Sequence, residues 1–194
     1  MTLYAATDIA NFFIEYYSRS VDLMTLPRVQ AFCYFAQAES LCRHGRPLFE
    51  DTFRAYSYGP GLTRLEFYYD GYGNSPIGVY KEYDPKIFDK EDRQLLMDVA
   101  VYYNMFSTSE LQIMTFANGG PWEQVYSKGT NMLDIDNSII QEFYEKLPRV
   151  PDYKSQMWQA ISSSCSIEIM PVVHAEEERP TVVYTEKEVS RAWE

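Results

Sequence analysis

Apolar positions recur along this chain in two rhythms, one suited to helices and one to a strand, and turn residues separate them. Ile9, Phe12, Phe13, Tyr16 and Tyr17 follow the three- and four-residue spacing of a helix face, with Thr7 and Asp8 placed to cap its start and an end near Ser20. A second helix is predicted from near Pro27 to His44. Thr25 precedes it, Pro27 sits where a missing amide hydrogen costs nothing, and Val29, Phe32, Cys33, Ala36 and Leu41 face inward. Gly45 suits the left-handed residue that ends a helix, and Pro47 prevents continuation. The rhythm then changes: Phe53, Ala55 and Ser57 alternate with Thr52, Arg54 and Tyr56, which predicts a short β element around residues 51–58. Tyr58-Gly59-Pro60 closes it as a turn, with Pro60 placed to start the next helix.

Leu62, Leu65, Tyr68 and Tyr69 predict a short helix that stops at Gly71, and the run of Gly, Asn, Ser and Pro from Gly73 to Gly78 reads as a loop. Asp89 leads into a helix over about residues 90–106, with Leu95, Leu96, Val99, Tyr102, Tyr103 and Phe106 inward. Ser107 and Glu110 have the spacing of a capping box for the next helix, which ends near Gly119. Pro121-Trp122 restarts the chain as a short helix with Trp122 as a large core side chain, and Asp136 caps a helix carrying Ile139, Ile140, Phe143, Tyr144 and Leu147. Pro148 and Pro151 end it. Beyond them the pattern gives a helix around Met157, Trp158 and Ile161, an acidic linker at Glu176-Glu177-Glu178 and a last strand over 181–185. The fold class expected is mainly α: a compact multi-helix domain over 1–147 with a short β element around residues 51–58, and a C-terminal extension over 148–194.

Composition narrows the function classes. A chain of 194 residues buries a sizeable core without staples, and three cysteines at unrelated spacings do not make a disulfide framework. No stretch reaches the ~20 apolar residues needed to span a bilayer, and no signal peptide is evident, so a cytoplasmic protein without a membrane partner is expected. A net charge of −11 disfavours nucleic acid and favours a basic protein partner. Catalysis and cofactors find little support. Only two histidines are present, and Cys42 with His44 lacks further zinc ligands at a recognisable spacing. Asp134, Asp136, Asn131 and Asn137 offer oxygens but no complete calcium loop, which leaves helix capping as the role of Asp136. No catalytic, cofactor-binding or metal residue is therefore assigned. Most of the 17 tyrosines are expected to pack in the core or at its edge, and one or two rings left at the rim are expected to act as contact anchors, since such rings bury large areas at small entropic cost. Tyr34, Tyr69, Tyr153 and Trp158 are the candidates for contacting a partner, the last two on the C-terminal apolar stripe beside the acidic run.

The order of short motifs adds a more specific lead. Tyr34-Phe35-Ala36-Gln37 is followed by Gly45-Arg46-Pro47-Leu48-Phe49, then Tyr58-Gly59-Pro60, Ser109-Glu110-Leu111, Thr115, Pro121-Trp122 and Asp136-Asn137-Ser138-Ile139. Over about residues 5–147 this order resembles the Panacea domain, the SocA-like antitoxin and phage-associated family. The chain departs from the family pattern at Ala31, where a lysine is common, at Thr63 in place of a proline, and at Phe116 in place of a histidine. The resemblance implies a mainly helical cytoplasmic antitoxin that binds and neutralises a cognate protein toxin. Other members resemble adaptors that deliver a bound toxin to a protease. It makes Gly45, Pro47, Phe49, Tyr58, Gly59, Pro60, Pro121 and Trp122 the structural motif residues. Two other classes compete: a metal enzyme using Cys42 and His44, and a nucleic-acid-binding regulator with a local basic patch.

Overall fold

A computed structural model describes residues 3–19, 23–78, 83–126 and 132–152. The expected helix around Trp158, the acidic linker and the strand over 181–185 lie outside the described residues. The described fold is mainly α with a short β element. In chain order it comprises α1 (Ala6–Tyr16), α2 (Leu26–His44), β1 (Phe53–Tyr56), β2 (Gly59–Gly61) and α3 (Thr63–Tyr68). There follow α4 (Lys90–Tyr103), α5 (Thr108–Thr115), α6 (Pro121–Tyr126), β3 (Leu133–Ile135) and α7 (Asn137–Tyr144).

The centre of the fold is α2, which packs against α1, α3, α4, α5 and α7. The apolar spacing predicts one inward face, yet every residue from Arg28 to Leu41 is buried. The difference has a physical cause: Gln30, Gln37, Glu39 and Ser40 are polar but satisfied by hydrogen bonds, so the helix can be covered on all sides. Gly45 ends α2 at φ 63°, as the sequence predicts, and its amide donates to the Leu41 carbonyl at 3.1 Å.

Three strands form an antiparallel sheet in the order β2-β1-β3. The sequence reading identifies β1 but not its neighbours. Pro60 does not start a helix: it sits in β2 opposite Ala55, on an edge strand where a missing amide is tolerated, and α3 begins three residues later at Thr63. Leu133-Asp134-Ile135 is too short for its alternation to register, and the pairing with Phe53, Arg54 and Ala55 is what makes it a strand.

Caps follow the sequence in the second half of the chain. Asp89, Ser107 and Asp136 accept from the amides of Asp92, Glu110 and Ser138 at the starts of α4, α5 and α7. The first helix differs. Ala5 occupies its N-cap, and Asp8 lies one turn inside, reaching back to the Ala5 amide at 3.2 Å. Tyr16 is exposed while Tyr17 is buried, and Ala10 and Ile14 complete the inner face. Packing continues past Leu147: Val150 is buried, and its carbonyl accepts from Arg43 at 2.7 Å.

Candidate functional site

Most of the motif residues do architectural work on one another. Gln37 of the aromatic-aromatic-Ala-Gln element accepts from the Leu48 amide at 2.9 Å and donates to the Phe49 carbonyl at 3.2 Å. Its side-chain amide thus pairs with the backbone of the Gly-Arg-Pro-Leu-Phe turn as a strand would. Gln30, two turns earlier on α2, makes the same two-bond clamp on Leu62, at 2.8 and 3.2 Å. The basic residue of the turn, Arg46, places Nη2 at 2.8 Å from both oxygens of Asp92 on α4, which is fully buried and also accepts from the Tyr4 hydroxyl at 2.9 Å. Asn137 receives a third contact from Gln37 at 3.4 Å. Spacings of tens of residues in sequence become direct bonds in the fold.

The aromatic candidates divide. Tyr34 and Tyr69 do not present a partner surface: both have no exposed area. Tyr34 packs edge-on to Phe53 and Tyr144, and burial raises its hydroxyl pKa; Tyr69 donates to Asn11 at 3.0 Å. Consecutive helical residues point about 100° apart, so one ring of each tyrosine pair goes inward. In the pairs Tyr16-Tyr17 and Tyr68-Tyr69 the inward ring is the second, and choosing between them needs the neighbouring helices. Tyr153 and Trp158 lie outside the described residues. Trp122 is half-buried at the margin of the core rather than central. Its Nε1 donates to the Tyr56 carbonyl at 2.7 Å, and its ring lies edge-on to Phe116 and stacked on Tyr126.

One surface gathers motif residues without closing on itself. A groove of about 510 Å³ is walled by the start of α2 (Pro27, Gln30, Ala31), the Tyr58-Gly59-Pro60 turn, α3 and the turn after it, and the second half of α5 (Gln112, Thr115). Gly59 has φ 123°, and a Cβ there would meet Thr115 Oγ1 at 3.3 Å, so glycine alone lets the turn lie this close to α5. Tyr58 is 49% exposed but not loose. Its ring stacks on Tyr56 at 5.0 Å and its hydroxyl donates to Glu66 Oε1, which raises the hydroxyl pKa together with desolvation, the larger cause. Tyr56 is itself tied to Thr63 Oγ1 at 2.8 Å. Glu66 and Asp70 line the groove, so an acidic edge stands beside a fixed aromatic face. Sequence reading counts Tyr58 as architecture; in the fold its ring, beside the glycine that the turn requires, also lines the groove.

The groups that hint at metal chemistry are dispersed. Asp134 pairs with Arg54 at 3.1 Å, Asp136 caps α7, and Cys42 Sγ lies 3.9 Å from the Gln141 carbonyl. Cys33 is fully buried, which raises its thiol pKa. Among the described residues no three His, Cys, Asp or Glu side chains gather to hold a metal ion. No helix of the described residues is long and apolar enough to cross a membrane.

Residues 32–123 match the model of the family described as antitoxin SocA-like, Panacea domain. The matched stretch runs from α2 to α6 and contains the groove's hairpin, α3 and α5. No curated protein and no solved structure matches the chain.

Proposed function

We propose that this protein is an antitoxin, a protein-binding domain that neutralises a cognate protein toxin by direct complex formation in the cytoplasm and catalyses no reaction itself. The match of residues 32–123 to the SocA-like Panacea model is the observation that carries the reading. The groove between α2, the Tyr58-Gly59-Pro60 turn and α5 is the surface assigned to the contact. Its aromatic ring is held by stacking and a hydroxyl bond before any partner arrives, which lowers the ordering cost of binding. Glu66 and Asp70 suit Lys or Arg of a basic toxin, and the net charge of −11 speeds association with such a partner. Delivery of the toxin to a protease would begin with this same complex.

The test is co-expression with the product of the adjacent reading frame. Growth inhibition by that product should be relieved by the wild-type chain, and the two proteins should co-purify at fixed stoichiometry. A Tyr58→Ala, Glu66→Gln double variant that melts cooperatively should fail to relieve it. Persistent toxicity with no complex formed defeats the antitoxin reading, whereas relief by the double variant equal to wild type defeats the assignment of the groove.

A further inference from the structure

The entry to α2 carries an arginine that the proposed toxin contact leaves unused. Arg28 is only 4% exposed, yet among the described residues its guanidinium forms no ion pair, whereas Arg43, Arg46, Arg54 and Arg64 each meet a carboxylate. Its Nη1 donates to the Phe106 carbonyl at 2.9 Å, the group lies 5.3 Å from the centroid of the Phe32 ring, and its buried Nε meets no acceptor. A carbonyl and a ring face orient a guanidinium without neutralising it. Removing such a cation from water is costly when no counter-charge accompanies it, and in an acidic chain carboxylates are plentiful.

Arg28 lines an open pocket of about 480 Å³ at the corner between α4 and α5. Asn104 and Thr108 bring neutral donors to the same pocket, and α5 begins there, where the Glu110 amide is taken by the Ser107 hydroxyl but the Thr108 and Ser109 amides have no acceptor inside the helix. The pocket's carboxylate, Glu110, is committed to the cap: its Oε2 accepts from both the amide and the hydroxyl of Ser107 at 2.7 Å. Leu23 and Met105, both exposed, form an apolar collar.

We infer that this pocket is an oxyanion-binding site, in which the Arg28 guanidinium and the start of α5 hold a carboxylate or phosphate group. The inference is independent of the antitoxin reading, since it concerns another pocket and a ligand of opposite charge. The planar fork of arginine matches two oxygens at once, which a lysine cannot reproduce.

The experiment titrates the full isotope-labelled chain with inorganic phosphate and, separately, with benzoate at constant ionic strength, following the Arg28 Nε–Hε resonance and the Asn104 and Thr108 amides. Saturable shifts in all three at millimolar probe are expected. Saturation by phosphate alone identifies a free phosphate-type ligand, and saturation by benzoate alone a carboxylate borne on an apolar body. Arg28→Lys should bind roughly tenfold more weakly, and Arg28→Met should show no saturation. Absence of saturable shifts with both probes in the wild-type chain overturns the site, as do unchanged shifts in Arg28→Lys. Neither readout involves a toxin, so failure here leaves the antitoxin reading intact, and the converse also holds.

Discussion

The two ends of α2 are buried to a similar degree but are held in opposite ways. At the C-terminal end every charge has a counter-charge: Arg43 lies 2.5 Å from both Glu39 and Asp98, and Arg46 grips Asp92. At the N-terminal end, Gln30 clamps the backbone of Leu62, but Arg28 has only a carbonyl and a ring, and the groove beside it stays open. Burial alone does not distinguish the ends; the ion pairing of their arginines does. Ion pairs fix one helix against another at the C-terminal end, whereas an arginine without a counter-charge at the other end is what a ligand can complete. Architecture therefore belongs to the end of α2, and the contacts proposed above fall at its start.

The largest test of this contrast is Arg46→Met, which strands the fully buried Asp92 carboxylate. Removing one partner of a buried pair costs about 3–5 kcal/mol. The denaturation midpoint should fall accordingly, and adding Asp92→Leu should recover much of the loss because no uncompensated charge remains. A cost no larger than that of breaking the exposed Arg54–Asp134 pair would erase the distinction between the two ends.

The neutral clamps sharpen the comparison. Gln37→Leu leaves the Leu48 amide and the Phe49 carbonyl without their side-chain partner, at about 1–3 kcal/mol. Gln30→Leu does the same to Leu62 at the open end and should cost a similar amount. Equal losses locate the difference between the ends in their charges alone; a much smaller loss for Gln30→Leu would show that the open end is also more loosely held.

A smaller effect is expected at Asp89, the N-cap of α4. Its hydrogen bond from the Asp92 amide, helped by Arg46 and opposed by partial burial, holds its carboxyl below the ordinary carboxylate range. A pKa lowered by folding contributes stability above the unfolded value, about 3.9 for aspartate, and that contribution is lost as pH falls through the folded value. Asp89→Ala should cost about 1 kcal/mol at neutral pH. The gap to wild type should close on acidification; a gap that is constant with pH would show that the lost cap is steric rather than ionic.

How much of this was legible in the sequence depends on the range of the interactions. Helix starts at Asp89, Ser107 and Asp136 and the stop at Gly45 are local chemistry, and spacing alone reveals them. The strand partner of β1 was hidden because Leu133-Asp134-Ile135 acquires strand character only from pairing with residues about eighty positions away. Motif order pointed to the family, but it did not tell which motif residues close on one another. Arg46 and Gln37 are spent on internal bonds, whereas Tyr58 keeps half its surface free. The inward ring of a tyrosine pair is likewise set by neighbouring helices, which is why Tyr69, a candidate contact residue by sequence, lies within; Tyr34 is buried because α2 is covered on all sides.

The smallest stability effect is expected where the functional effect should be large. Glu66→Gln removes a charge at the edge of the open groove while keeping an acceptor for the Tyr58 hydroxyl, so the denaturation midpoint should correspond to a change within about 0.5 kcal/mol, as for surface substitutions generally. The same change removes half of the groove's carboxylate pair with Asp70 and should weaken binding of a basic toxin chiefly at low salt, where rim charges steer association most strongly. Measured together, stability and association rate separate the two ends of α2. A Glu66→Gln variant that loses stability as Arg46→Met does would make the groove part of the architecture. One that keeps its stability and loses association rate, with the deficit shrinking as salt is added, places recognition at the end of the helix that the fold leaves open.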